Sequence, residues 1–533
     1  MSTFERLQRD FTEGRISRRS FINRAAAMGA LAAVPAGLLA ESAKAEAPQS
    51  GGHLRVATVQ GSTTDNLDPA TLSSGFVNML WYTAYSQLTE VNAEGQLEPL
   101  LAESYEAVDG PDKWVFTLRK DAEFHNGKTV DSNDVIQSIA RAQGEDSSSA
   151  MAFFVNTITD MQADGSDKVI FTLAEGNADF PFGLSASALS IMPANGDEVD
   201  VSGVGAGAYI IKSFEPGISA ELERNPNFFM SGRAHVASTE LLCIPDATSR
   251  QNGLLSGAID VTGDIDPKTA NLMAEQAGIT VEDTGGTQHY TFPMRGDLAP
   301  FDDNNIRMAL KLAVDRELIL DKVLDGHGSL GNDHPISPAN RFYNDELPQR
   351  EYDPDKANWY LRQAGIDSID LELVASDGLY AGAVDTTVLM AESAAAAGIN
   401  ITPVRAPADG YWSDVWLVAP WSGSYWSGRP TEDWMFSQGY AAESSWNESY
   451  WQNERFNQLL VEARGELDID KRRDMYFEMQ AICRDDCPSV IHLYANHITA
   501  YRDGVRHPEH VAGNWEFDGY KLIERWWLDQ GEA

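Results

Sequence analysis

Seven of the thirteen tryptophans lie between Trp412 and Trp451, interleaved with Tyr411, Tyr425, Tyr440 and Tyr450. Such rings offer broad apolar faces with one polar edge, which suits peptide side chains, sugar faces or quaternary ammonium groups; any single ring is better explained by core packing, and it is their clustering that points to a ligand. Tyr411, Trp412, Trp426 and Trp434 are candidates to contact a ligand. Within the same stretch, Trp426-Ser427-Gly428-Arg429-Pro430-Thr431-Glu432-Asp433 sets one arginine just before two acids. A guanidinium fork suits a carboxylate or phosphate and repels an ammonium group. Glu432 and Asp433 can instead supply negative charge to a ligand, or either can hold Arg429 in a structural ion pair.

Catalytic patterns are missing. The sequence has no Gly-x-Ser-x-Gly elbow, no His-Glu-x-x-His and no Gly-x-x-x-x-Gly-Lys-Ser/Thr phosphate cradle. Its ten histidines are scattered, and the close pairs His507/His510 and His492/His497 lack a third ligand at metal spacing. No cofactor is implied. Forty basic residues against eighty acidic ones give a formal charge of −40, which excludes nucleic acid and anionic membrane surfaces as partners. At 533 residues, 43% hydrophobic, the chain is long enough for more than one packed core.

The first 45 residues read as an address. Ser17-Arg18-Arg19-Ser20-Phe21-Ile22 precedes an apolar run from Ala25 to Ala40, too short to span a bilayer, and Ala43-Lys44-Ala45 has the small-x-small form of a cleavage site. The paired arginines followed by Phe-Ile resemble a twin-arginine export signal. Removal near Ala45 leaves 33 basic and 76 acidic residues and places the mature protein in the periplasm. In that oxidising compartment Cys483 and Cys487 can form a disulfide across a helix end, while Cys243 reads as a small buried hydrophobe.

The elements that must position these residues alternate between strand and helix, as an α/β protein of at least two lobes requires. Residues 52–59, Val115–Arg119 and Val169–Leu173 have the two-residue alternation of strands. Asp302 or Asp303 is expected to cap a helix running through Leu324, with Ile306, Leu310, Ala313 and Val314 on one face. Asp353-Pro354 and Gly365 bound another. A third is expected to open at Asp470 and turn Met475, Met479 and Ile482 inward. No Pro-, Gly- or Ser-rich linker separates the halves, which fits lobes joined by crossing strands.

Several stretches, in order, resemble the family-5 extracellular solute-binding proteins, the dipeptide- and oligopeptide-binding components of ABC importers. Gly51–Val56 is similar to the opening strand, Asn66-Leu67-Asp68-Pro69 to the turn after it, and Leu97–Glu106 to the "P-x-L-A-x-S-W-E" run. Phe116–Gly127 is similar to "F-x-L-R-x-G-V-K-F-H-D-G", followed by a helix start at Asp131–Val135. Gly203–Tyr209, Arg224–Phe229 and Phe301–Arg316 continue the likeness, which runs from about residue 51 to 505.

The resemblance implies a two-lobe periplasmic-binding-protein clamp of the cluster C type, with ligand in a cleft between lobes. Lobe I is expected at 46–288 and 497–533 and lobe II at 289–496, with crossing segments around His289–Met294 and His492–Ala500. It implies a monomer that captures a short peptide or peptide-like solute and delivers it to permease subunits in the inner membrane. An oligosaccharide, an opine-like or other zwitterion, or a metal chelate is the alternative within that fold; an exported enzyme is the alternative outside it. In relatives an aspartate at the place of Arg429 holds the ligand's α-ammonium group, so the charge here is reversed. Their carboxylate-binding arginine aligns with Val384-Asp385, so Asp385 either reverses a second charge or is an ordinary N-cap. Ser73, Ser74, Gly75 and Phe76 stand where relatives offer a strand edge to the peptide backbone, or else form a polar turn.

Overall fold

The computed structural model describes residues 48–71, 74–144 and 147–529. The export-signal reading and Ser73 lie outside the described residues. The chain divides into two units: one comprises the residues up to Ile265 with Thr269–Thr284 and everything from His497, the other Asp266–Lys268 and Gly285–Asn496. It passes from one to the other along two long strands, Ile279–Pro293 and Ser489–Arg502.

In the first unit the strand His53–Thr58 runs parallel to Ser238–Cys243 and to Val261–Thr262. The hairpin Tyr209–Glu215 and Ser219–Arg224 extends the sheet antiparallel on the Ser238–Cys243 side. Alternate residues of His53–Thr58 are buried at Leu54 and Val56, and so are Leu241 opposite and the helix Gly75–Ala84 through Phe76, Leu80 and Trp81, building one apolar core. Gly205 and Gly207 let the chain lie directly on the end of that helix, with Gly207 N donating to Ala84 O at 3.0 Å. A Cβ at Gly207 would stand 2.5 Å from the Ala84 carbonyl carbon, too close for any other residue. A second, antiparallel sheet contains Lys113–Leu118 and Lys168–Leu173, where the alternation read from the sequence appears as strict burial of every second residue.

In the second unit a parallel pair, Ile369–Ala375 and Ile399–Arg405, is bridged by the helix Ala383–Ala395. Leu373, Met390, Ala394 and Ile399 join the core that also takes Ile306, Leu310 and Val323. The single helix expected from Asp302/Asp303 to Leu324 is two helices, Asn304–Leu312 and Arg316–Leu324. Asp303 caps the first; Asp315 breaks the run by accepting from Leu318 N at 3.0 Å and so capping the second. Asp353 caps Pro354–Gln363 as expected. The third expected helix, Ile469–Asp486, is capped by Asp468 rather than Asp470, and buries Tyr476, Met479, Gln480 and Cys483. Met475 and Ile482 are only half-buried, on the flanks of the stripe that Tyr476, Met479, Gln480 and Cys483 turn into the core. Cys483 and Cys487 are both buried free thiols, and Cys243 is half-buried rather than enclosed. No helix among the described residues is long and apolar enough to cross a membrane.

Candidate functional site

The aromatic stretch separates by burial. Trp421, Trp451, Tyr411 and Tyr440 are core residues, whereas Trp412 and Trp446 are each 45% exposed. Tyr411 is anchored by its hydroxyl, which donates to Gly423 O at 2.8 Å. From it a chain of edge-on and tilted rings runs through Trp412, Trp416, Trp446 and Trp426, with successive centroids 5.7–5.9 Å apart. Tyr425 joins at 5.9 Å from Trp412. The strand Ser424–Trp426 fixes one end of this wall by pairing antiparallel with His289–Thr291.

One carboxylate holds the wall together. Glu448 Oε1 accepts from Trp416 Nε1 at 2.6 Å and from the Ser424 hydroxyl, and Oε2 accepts from Trp426 Nε1 at 3.1 Å. Burial pushes this carboxyl above its usual range, and the three donors only partly restore it. Glu448 did not stand out in the sequence, since its donors lie 22 to 32 residues away and no local spacing marks them. Glu448→Gln would turn an NH2 toward an indole N–H. The expected result is a loss of about 1–3 kcal/mol of stability together with a shift in tryptophan fluorescence. Unchanged melting and emission would show that the carboxylate does not hold the indoles.

Arg429 lies beside this wall. Gly428, at φ +85°, makes the turn that presents it, and a Cβ there would strike Thr287. The Arg429 guanidinium sits 5.3 Å from the centroid of Trp426. Its Nε donates to Gln438 Oε1 at 2.6 Å, and Nη1 donates to Gly428 O at 2.5 Å and to the exposed Ser427 hydroxyl at 3.4 Å. None of these partners is an acid. Burial alone pulls the guanidinium down to about 10.

The ion pairs offered by the sequence for Arg429 do not form. Glu432 is fully buried and accepts from Phe342 N at 2.7 Å, because it follows the N-cap Thr431 and points into the unit rather than back along the turn. Asp433 is paired with Arg464 at 3.1 Å and accepts from Ser437. Both acids are thus committed inside the unit. Trp434 is half-buried on the same helix, Glu432–Gly439.

Asp385 falls in the first turn of Ala383–Ala395, but Gly382 occupies the N-cap, so the capping role does not apply. Its side chain is exposed, 3.5 Å from Lys268 Nζ. Ser74 is the N-cap of Gly75–Ala84, accepting from Val77 N at 3.3 Å and donating to Asp65 at 2.9 Å. At Ser74–Phe76 the expected strand edge is therefore a helix start. Phe76 N already donates to Gln60 O at 2.9 Å, and the Phe76 ring is fully buried against Phe214.

His289, His334 and His492 are buried and pushed down to about 3, so they stand neutral in the core of the second unit. Among the described residues no three His, Cys, Asp or Glu side chains are grouped to hold a metal ion.

Comparison with known proteins bears on these features. The model of the bacterial extracellular solute-binding proteins, family 5 Middle, matches residues 96–448. A heme-binding protein A of Haemophilus influenzae is 25% identical over 447 residues, covering 76% of this chain and 80% of that protein. The di/tripeptide-binding protein 1 of Pseudomonas aeruginosa is 24% identical over 498 residues, covering 86% and 91%. Among solved structures, the ABC transporter-associated periplasmic binding protein DppA of Helicobacter pylori, in complex with the peptide STSA, superposes with a TM-score of 0.71. That match has 19% identity and covers 90% of this chain and 99% of that one.

Proposed function

The chain belongs to the family-5 bacterial extracellular solute-binding proteins, and from that premise we propose that it captures a short peptide or peptide-like solute and delivers it to the permease subunits of an ABC importer in the inner membrane. Members of the family are substrate-binding transport proteins, and we propose no catalytic activity for this one. The relatives that carry the reading are the di/tripeptide-binding protein and the peptide-bound DppA. Export by the twin-arginine signal with cleavage near Ala45, a monomeric state, and lobes at 46–288, 289–496 and 497–533 belong to the same proposal.

The observation that carries the ligand chemistry is Arg429, a cation beside an indole face whose three hydrogen-bond acceptors are all uncharged. A carboxylate, such as a peptide's C-terminus, supplies the charge those acceptors lack. The same observation favours a second reading, a non-peptide zwitterion or opine-like acid held by its carboxylate.

Mass spectrometry of whatever co-purifies with the mature protein, followed by calorimetry with synthetic di- to tetrapeptides, tests the function. Micromolar binding that disappears when the peptide C-terminus is amidated is the expected result. Turnover of a peptide, ester or redox substrate at an enzyme-like rate would end the transport reading. Binding of acids but not peptides would favour the second ligand class.

A further inference from the structure

We propose that Trp446, with Trp412 beside it in the indole wall, selects ligands whose carboxylate-bearing residue carries an aromatic side chain. That side chain is what covers the two exposed indoles. The inference rests on the reading of Arg429 as the anchor for a ligand carboxylate, and deepens it by naming the group next to that carboxylate. Its first basis is that the rings close on themselves. Tyr425 and Trp426 are successive residues of one strand, so their side chains leave it on opposite faces. From Tyr425 the contacts pass through Trp412, Trp416 and Trp446 and return to Trp426. Tyr425 and Trp416 are half-buried and Trp426 is buried, whereas Trp412 and Trp446 stand exposed.

Trp446 is exposed without being loose. Its N donates to the Ser444 hydroxyl at 3.1 Å, and that hydroxyl donates to Gln438 O. The Gln438 side chain in turn accepts from Arg429 Nε at 2.6 Å. Asn447 and Glu448, the next residues, are buried, and Asn447 Nδ2 donates to Trp451 O at 2.8 Å. The exposed indole and the guanidinium are thus fastened to one glutamine. Both also lie against Trp426, the guanidinium carbon 5.3 Å and the Trp446 ring 5.9 Å from its centroid. Arg429 Nη2 donates to nothing among the described residues, so the fork keeps a free arm on this side.

A pinned indole beside a cation without a counter-charge sorts ligand side chains. A carboxylate on Arg429 brings the side chain of its own residue toward Trp446. A basic side chain there sets a second cation beside the guanidinium, and an acidic one competes with the carboxylate for the same fork. Glycine leaves both indoles in water. An aromatic ring covers them, and continues the edge-to-face pattern in which Trp416 meets Trp412 at 76° and Trp446 at 89°. Because the wall is already held by Glu448, little ordering is left to oppose that contact. Trp446 therefore determines specificity, while Arg429 supplies the anchor.

The test is calorimetry on the mature protein with four tripeptides: Ala-Ala-Phe, Ala-Ala-Gly, Phe-Ala-Ala and the C-terminal amide of Ala-Ala-Phe. Ala-Ala-Phe should bind at least tenfold more tightly than Ala-Ala-Gly or Phe-Ala-Ala, and its amide should not bind. Trp446→Ala should abolish the preference for Ala-Ala-Phe, and Trp446→Phe should keep most of it. Should Trp446→Ala fail to fold, Trp446→Leu keeps the apolar bulk without the aromatic face and should cut the preference to threefold or less. Three results would each overturn the subsite: equal affinity for Ala-Ala-Phe and Ala-Ala-Gly, equally tight binding of Phe-Ala-Ala, or a full preference in a folded Trp446→Ala protein. If amidation still abolishes binding in those cases, the carboxylate anchor stands. Binding indifferent to amidation, or no binding of any of the four, would overturn the anchor and the subsite together.

Discussion

Arg429→Ala is expected to weaken capture of the native solute by tenfold at the least without lowering the melting temperature of the unliganded protein. The two halves of that result have one cause. The guanidinium is withdrawn from water, which pulls it down to about 10, and it has only an amide, a carbonyl and a hydroxyl as hydrogen-bond acceptors. Holding a cation in that way costs stability in the empty protein, so its removal leaves no carboxylate stranded and the apo form melts at the same temperature or higher. In the complex a ligand carboxylate completes the pair, and truncating one side of a buried charge-assisted pair typically costs about 2–5 kcal/mol. Arg429→Lys keeps the charge but not the fork, and should recover only part of the affinity. Arg429→Asp reverses the charge beside Trp426 and should lose the native solute altogether. Calorimetry and thermal melting of the same preparations decide the matter. Unchanged affinity with a large fall in melting temperature would make Arg429 a structural residue.

The largest effect on stability is expected from Asp333→Asn. Asp333 is fully buried, left-handed at φ +59°, and surrounded by cations. Its Oδ1 accepts from Arg316 Nη2 at 2.7 Å and from Ile491 N at 3.1 Å, and its Oδ2 lies 2.6 Å from Arg350 Nε as an ion pair. Lys311 is buried nearby, donating to Arg484 O at 2.9 Å. Burial works to raise the carboxyl, but Arg316, Arg350 and Lys311 outweigh it and hold the group below the usual carboxylate range.

Neutralising Asp333 leaves two arginines and a lysine in a low-dielectric site without their shared anion, a loss of about 3–5 kcal/mol. For a unit of this size that corresponds to a fall of roughly 6–20 °C in melting temperature. A lowered carboxyl contributes stability that is present above the unfolded value of about 3.9 and lost as pH falls through the folded value. The wild-type and variant stabilities should therefore differ fully at neutral pH and converge in acid below about pH 4. Replacing Arg316 by Met in the Asn variant removes one stranded cation and should restore part of the loss. A single Asn variant that melts within 2 °C of wild type would show that the network is not what holds this core.

What the sequence determined by itself was local or additive. Two-residue alternation placed Lys113–Leu118 and Lys168–Leu173, because burial on one sheet face is written directly in residue order. Asp353-Pro354 marked a helix start, since a cap is satisfied by an amide three residues away. Ordered short motifs identified the family. Two features of the aromatic stretch were also legible: its tryptophan density, and an arginine shortly before two acids.

What the sequence left open was decided by distance in space. Asp315, one residue past Val314, split a helix that periodicity alone would have continued. Glu432 and Asp433 sat next to Arg429 in sequence, yet their helix turned them toward Phe342 and Arg464. The bonds that organise the indoles come from Glu448, 32 and 22 residues along the chain from Trp416 and Trp426. Hydrophobic burial follows a period and can be read along a chain. The pairing of a buried charge depends on which donors tertiary packing brings within 3 Å, and only the folded structure supplies that information.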